Sequence, residues 1–267
     1  PELAADIVMA VKKAVSVPVT VKCRLGWDKG SINVLDFTKR MEDCGASMVA
    51  VHGRTRAMLY SGVADWDMIH KVKNQLSIPV IANGDITDGG AAVRCAKRTG
   101  ADGLMIGRGA VGNPFLFEEI RAALDGETYL PPSAETRMET ALWQLRLAVD
   151  EKGEREAVLS ARKQFADFAA GLRGAASLRA AAHRAETYAE LAACVHEHLR
   201  TQNIGLQKYL GLFNRTVHMA FGGEVNNRVK PVLFKKLSHK LCVTDIAVDK
   251  GVALIILHGQ QIFQVAR

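Results

Sequence analysis

Four times in the first 117 residues, an apolar and β-branched run gives way to a polar loop and then to a stretch with helical spacing. The runs are Val19–Arg24, Ser47–His52, Ile78–Ala82 and Leu104–Ile106. Helical patterns cover residues 2–15, 31–44, 66–75 and about 88–98, and Leu3, Ile7, Val8, Val11 and Val15 mark the apolar face of the first. Units of this kind, at intervals of roughly 25–30 residues, predict an α/β fold with a parallel sheet and right-handed crossovers. A chain of 267 residues has room for one barrel-sized domain or two smaller ones.

The loops carry the chemistry. Polar residues gather where each strand ends: Lys22 and Arg24; His52, Arg54 and Arg56; Asn83, Gly84 and Asp85; Gly107 and Arg108. In a parallel α/β protein these ends form one rim, and ligands bind there. Lys22 and Arg24 stand two residues apart and so share a strand face. An inward lysine at that place suits a phosphate or the pyrimidine edge of a flavin; the alternative is a surface lysine whose ammonium reaches water. His52 with two alternating arginines suits an anionic ligand, and Asn83-Gly84-Asp85 offers an amide, a bare backbone and a carboxylate. The competing reading of that tripeptide is an Asn-Gly turn with an Asp cap. In the stretch 100–117, glycines 107, 109 and 112 flank Arg108 and precede a further segment at Pro114. Free backbone N–H groups beside a guanidinium make a phosphate seat, although an ordinary tight strand-to-helix connection has the same composition.

Pro131-Pro132 closes this region. Residues 133 to about 199 are alanine-rich and helical, with Ser133 as an N-cap and breaks near Gly153, Gly171 and Gly174. Three segments are expected: 1–130, a helical domain over 131–200, and a tail over 201–267 with strand-like runs at 241–248 and 252–257. The net charge of +7 is uneven. The tail holds nine Lys/Arg against three Asp/Glu, and residues 155–184 hold six basic against two acidic residues. A basic helical face suits a phosphate-backbone partner, and equally a solvated surface. Five cysteines, widely spaced and without a Cys-x-x-Cys pair, argue against a disulfide framework or zinc site and fit a reducing cytosol. No metal site is expected. No apolar run approaches the roughly 20 residues a membrane span needs, so a cytoplasmic location is expected. The opening Pro1-Glu2-Leu3 enters a helical pattern directly and reads as a fragment of a longer chain.

Four motifs together resemble one family. Val19-Thr20-Val21-Lys22-Cys23-Arg24-Leu25-Gly26-Trp27-Asp28, Val51-His52-Gly53-Arg54-Thr55-Arg56, Pro79-Val80-Ile81-Ala82-Asn83-Gly84-Asp85-Ile86 and Met105-Ile106-Gly107-Arg108-Gly109-Ala110-Val111-Gly112-Asn113-Pro114 are similar, in order and spacing, to the bacterial tRNA-dihydrouridine synthases. Ala161-Arg162-Lys163, Gly171–Ala176 and Leu178-Arg179 resemble that family's helical domain. The resemblance implies the last four β/α units of a TIM barrel followed by a small all-helical domain. It also implies an FMN enzyme that reduces the C5–C6 bond of tRNA uridines, with NADPH as reductant and a cysteine as acid. Carried onto this chain, Lys22 and His52 would lie at the flavin, with Asn83, Gly84, Asp85, Gly107 and Arg108 holding ribityl and phosphate groups. Arg54 and Arg56 would lie close to the flavin or the flipped base, Arg24 would join them in binding the substrate tRNA, and Arg162, Lys163 and Arg179 would hold the tRNA backbone.

The chain departs from the family pattern in two ways. The Asn-x-Gly-Cys-Pro motif that carries the family's acid is absent, and neither Cys23 nor Cys44 replaces it, so no catalytic residue is assigned and normal turnover is not expected of this chain. Four strands also leave two parallel edges open, and the tail matches nothing in the family. Two alternatives stay open: another FMN barrel oxidoreductase, of the dihydroorotate-dehydrogenase kind, and a non-catalytic half-barrel that binds RNA.

Overall fold

The computed structural model describes residues 1–201, 253–258 and 261–265. The described chain forms two compact units, one of residues 1–131 with the strands at 253–258 and 261–265, the other of residues 132–201.

The first unit alternates as its sequence pattern requires: α1 (Glu2–Ala14), β1 (Thr20–Arg24), α2 (Val34–Asp43), β2 (Met48–His52), α3 (Trp66–Gln75), β3 (Val80–Asn83), α4 (Gly89–Thr99), β4 (Gly103–Ile106), a 3-10 turn at Arg108–Ala110 and α5 (Leu116–Asp125). The helix starts have local causes. The side chain of Asp65 accepts a hydrogen bond from the Met68 N–H, and that of Asp88 from the Ala91 N–H, each closing a free donor of the first turn. At the other end of α4, Gly100 takes the left-handed conformation (φ 64°) that ends a helix.

β1 to β4 are parallel and adjacent in chain order. Because side chains alternate across a strand, Val49, Val51, Val80, Ala82, Leu104 and Ile106 share one face, where Ile69, Val72, Ala92, Cys95, Leu116 and Ile120 cover them. Ile69 and Ile120 are fully buried there, each contributing about 1.5–3 kcal/mol of hydrophobic free energy. The opposite face groups Met48, Ala50, Ile81 and Met105. Every residue of β2 is buried, as befits a strand covered on both faces.

The register decides what meets at the strand ends. Arg24 lies beside His52, His52 beside Asn83, and Asn83 beside Met105, so these four form one row. One row back lie Lys22, Ala50, Ile81 and Gly103.

One expectation fails at the sheet's edge. The outer edge of β4 is not open: β5 (Ala253–His258) pairs with it antiparallel, and β6 (Gln261–Val265) pairs antiparallel with β5. An unpaired edge presents a row of N–H and C=O groups to any extended apolar segment, and Ala253-Leu254-Ile255-Ile256-Leu257 is such a segment. The run expected at 252–257 is therefore a strand, while that at 241–248 lies outside the described residues. Among the described residues, no strand pairs with the free edge of β1.

The second unit has four helices among its described residues: α6 (Ala134–Lys152), α7 (Glu154–Phe168), α8 (Ala175–Arg184) and α9 (Tyr188–Thr201). Ser133 caps α6 through the Thr136 N–H. Met138, Leu142, Leu145, Val158, Phe165, Phe168, Leu178, Leu191 and Val195 are buried at apolar positions of these helices. Two arginines serve as helix ends: Arg137 Nη2 donates to the carbonyls of Phe168 (2.6 Å) and Ala170 (2.8 Å), and Arg162 Nη2 donates to that of Ala185 (2.8 Å). The break at 185–187 was not anticipated, and no glycine marks it. No described helix is long and apolar enough to cross a membrane.

Candidate active site at the carboxyl ends of the strands

Backbone bonds carry the β1–β2 pairing out into the loops. Leu25 N–H donates to the Arg54 carbonyl, Arg56 N–H to Gly26, and Ala57 N–H to Trp27. The residues after β1 and after β2 are thereby held as one rim.

His52 stands at the centre of the row. It is 6% exposed, and its pKa falls to about 4, first because burial disfavours the imidazolium and then because Arg24, Lys22 and Arg54 add positive charge, against a smaller opposing pull from Asp85. The ring is neutral at pH 7. Gly84 lies against it with φ at 119°, where a Cβ would come within 3.0 Å of His52 Cδ2 and 2.8 Å of the Ala64 methyl. Only glycine fits there. Asn83 Nδ2 donates to the Met105 carbonyl (2.7 Å), which fixes the amide and leaves Oδ1 without a hydrogen bond among the described residues.

Cations surround this row. Arg24 Nη1 donates to the carbonyls of Thr55 (2.8 Å) and Leu59 (3.0 Å). Its guanidinium carbon lies 5.8 Å from the centroid of the Tyr60 ring, and that of Arg108 lies 4.1 Å from the same ring. Arg56 is exposed, 5.8 Å from the ring of Trp27, which is itself exposed. Lys22 is exposed overall, yet its ammonium titrates below the ordinary lysine range because of desolvation and the neighbouring Arg24. None of Lys22, Arg24, Arg56 and Arg108 forms a salt bridge with a described carboxylate. A cluster of uncompensated cations beside a neutral imidazole attracts an anion.

Arg54 and Asp85 behave differently. The Arg54 guanidinium is 2% exposed and turned inward, where Nη1 and Nη2 meet the two carboxylate oxygens of Asp85 at 2.8 Å each. Burial works to raise the Asp85 pKa, but hydrogen bonds from Arg54 and the Ala64 N–H hold it below the ordinary carboxylate range. The structure thus places Arg54 behind the rim, with Nε and Nη2 donating to protein groups and Nη1 in ion-pair contact with Asp85, while Arg24, His52, Asn83 and Arg108 come together at the rim.

The glycines after β4 divide in role. A Cβ on Gly109 would lie 2.7 Å from the Ile86 carbonyl oxygen, so this residue allows the turns after β3 and β4 to touch. A Cβ on Gly107 meets nothing within 4 Å, and that open space lies next to Arg108. Nearby, a groove of about 630 Å³ between the loops after β1 and β2 is lined by Asp28, Lys29, Gly30, Thr55, Ala57, Met58 and Ser61.

Within the first unit, no described thiol reaches this row. Cys23 points to the helix-covered face and Cys95 sits in the core, both pushed up to about 12 chiefly by burial. Cys44 ends α2, Cys194 lies in α9, and Cys242 is outside the described residues. No group of three potential metal ligands occurs among the described residues. In the helical unit, Lys163 is exposed and Arg179 half-buried, while Arg162 caps α8. Sequence reasoning passed over Tyr60 and Trp27; the signal was aromatic residues interleaved with Arg24, Arg54 and Arg56 in two basic loops.

A parallel β/α sheet with a neutral histidine and a cluster of cations at its strand ends defines an α/β protein. The chain belongs to the dihydrouridine synthase (Dus) family, whose family model matches residues 1–203. It is 47% identical over 180 residues to "Probable tRNA-dihydrouridine synthase 1" of Synechocystis sp., covering 67% of this chain and 50% of that protein. It is 45% identical over 180 residues to "Probable tRNA-dihydrouridine synthase" of Rickettsia bellii (67% and 55%), and 49% identical over 132 residues to "tRNA-dihydrouridine synthase B" of Proteus vulgaris (49% and 41%). The chain spans about half the length of the curated relatives it matches.

Proposed function

We propose that the protein is the FMN-binding portion of an enzyme that reduces uridine in tRNA to 5,6-dihydrouridine, with NADPH as the reductant, acting in the cytoplasm. The sheet of β1–β4 would be the last four units of a TIM barrel, and residues 131–200 its tRNA-binding helical domain. The single observation that carries this reading is the row Arg24–His52–Asn83 beside the open turn at Gly107-Arg108, in a chain of this family.

Bound FMN supplies a hydride to the C5–C6 bond of the base. The chain's own residues do the rest of what can be assigned. Arg108 and the Gly107 backbone receive the phosphate. Asn83, its NH₂ held by the Met105 carbonyl, presents Oδ1 to a ribityl hydroxyl. Lys22 donates to the flavin's pyrimidine edge, where a cation favours the electron-rich reduced ring. His52, neutral at pH 7, offers an uncharged hydrogen bond at the boundary of flavin and uracil. Arg24 and Arg56 flank the exposed rings of Tyr60 and Trp27, a combination suited to a base taken out of its stack. Lys163 and Arg179 would contact tRNA phosphates.

The test uses the 267-residue chain. Titrated into FMN, it should quench flavin fluorescence with 1:1 stoichiometry, and Lys22→Ala should weaken binding. It should also bind tRNA, with affinity falling steeply as salt rises. Absence of FMN binding overturns the proposal. FMN binding without tRNA binding favours a flavoenzyme with a small-molecule substrate instead.

A further inference from the structure

We propose that Arg54 is a positioning residue for this site: its buried guanidinium ties the segment Ser61–Ala64 to the turn at Gly84-Asp85 and thereby sets where Tyr60 and His52 stand. The inference rests on the functional reading above only for what the positioned residues do.

The bonds run to two separate loops. Arg54 Nε donates to the Ser61 carbonyl (2.9 Å) and Nη2 to the Gly62 carbonyl (2.6 Å), both in the loop after β2. Nη2 also donates to Asp85 Oδ2 (2.8 Å), with Nη1 in ion-pair contact with Oδ1 (2.8 Å), in the loop after β3. Asp85 closes the circle, because its Oδ2 also accepts the Ala64 N–H at 2.7 Å. One planar cation thus joins Ser61, Gly62 and Asp85, and Asp85 joins Ala64.

Asp85 sits at φ 58°, a left-handed conformation uncommon for a residue with a side chain. Arg54 holds it there. The preceding Gly84 then comes so close to His52 and Ala64 that no Cβ fits, and Trp66 Nε1 donates to the Gly84 carbonyl (3.1 Å). On the other side, Ser61 directly follows Tyr60, whose ring faces Arg108. Releasing Arg54 would free both the wall behind His52 and the anchor of Tyr60. Lysine does not reproduce this, since a compact ammonium lacks the planar spread of donors by which Arg54 meets Ser61, Gly62 and Asp85 together.

Hydrogen–deuterium exchange on the 267-residue chain tests this for Arg54→Lys and for Asp85→Asn, which removes the ion pair while keeping the residue's volume. Both variants should exchange at least ~10-fold faster at residues 57–64 and 84–87, with α2 and α3 unchanged. Both should also raise the Kd for FMN at least ~10-fold and alter the visible circular dichroism of the bound flavin. Unchanged exchange at 57–64 and 84–87, or acceleration spread evenly over β1–β4, overturns the inference. If the parent chain fails to bind FMN, the functional reading falls, while the exchange pattern still decides what Arg54 does.

Discussion

The guanidinium of Arg108 lies 4.1 Å from the ring centroid of Tyr60, at the mouth of the turn that begins with Gly107. An exposed cation–π contact contributes only about 0.5–1 kcal/mol, less than the roughly 1.5–3 kcal/mol of a hydrogen bond to a charged group. A bound FMN phosphate, as proposed, would therefore outcompete the ring for Arg108. Arg108→Met should weaken FMN binding by ~10–100-fold, whereas Tyr60→Leu should change it by less than ~5-fold. Equal losses in the two variants, measured by flavin fluorescence, would show that Tyr60 rather than the phosphate is the partner of Arg108.

The depressed pKa of His52 has a consequence for stability. A histidine whose pKa is about 4 in the fold and 6.5 as an unperturbed group binds fewer protons folded than unfolded between those values. Stability is then full above pH 6.5, falls as pH drops toward 4, and loses no more from this group below that. The total is about 3 kcal/mol at most. His52→Gln should flatten this limb in urea titrations between pH 4 and 6.5; an unchanged limb would place the titrating group elsewhere.

Glu42 holds the entry to β3. Its Oε1 accepts from the Ser77 N–H (2.7 Å), the Ser77 hydroxyl (2.7 Å) and the Ile78 N–H (3.1 Å), and its Oε2 pairs with Lys39 at 2.8 Å. Lys39 is 47% exposed, so the ion pair contributes little, and the bonds to 77 and 78 dominate. Glu42→Ala should cost about 1.5–3 kcal/mol. Lys39→Ala should cost less than ~0.5 kcal/mol. Thermal melts of the two variants at pH 7 separate these outcomes.

Turnover should be slow because no described thiol of the first unit stands at the rim to serve as acid. Cys23 and Cys95 are held as thiols by burial, and neither faces the row of Arg24, His52 and Asn83. A positioned general acid contributes about 10²–10⁴-fold. With FMN, NADPH and unmodified tRNA, this chain should form dihydrouridine at least ~10²-fold more slowly than a full-length relative. Mass spectrometry of the nucleosides measures it, and comparable rates would require a donor among the rim residues.

Much of this was legible in the residues themselves. β-branched runs two residues out of phase with polar partners, and helices stopped by Gly100 or begun at Asp65 and Asp88, are local signals; the elements appear within a few residues of their expected bounds. The convergence of Lys22, Arg24, His52 and Asn83 was legible too, since parallel strands put their ends on one rim. What could not be read was direction and partnership. Arg54 and Arg56 look alike in sequence, yet one is buried against Asp85 and the other is exposed beside Trp27, because the choice depends on a carboxylate 31 residues away. The pairing of β5 with β4 was equally hidden, since it joins segments separated by the whole helical unit.

The same distinction governs the helical unit. Arg162 and Lys163 are neighbours with the same charge, but Arg162 is half-buried and donates to the Ala185 carbonyl at the end of α8, while Lys163 is exposed. A guanidinium committed to a helix end stabilises the fold; an exposed ammonium is available to a phosphate. Arg162→Ala should therefore lower the melting temperature of the chain and leave the salt slope of tRNA binding unchanged. Lys163→Ala should leave the melting temperature unchanged and reduce that slope by about 0.7–0.9 if its contact is with one phosphate. The reverse assignment, with the slope following Arg162, would mean that tRNA draws this side chain away from Ala185 and that α8 ends differently in the complex.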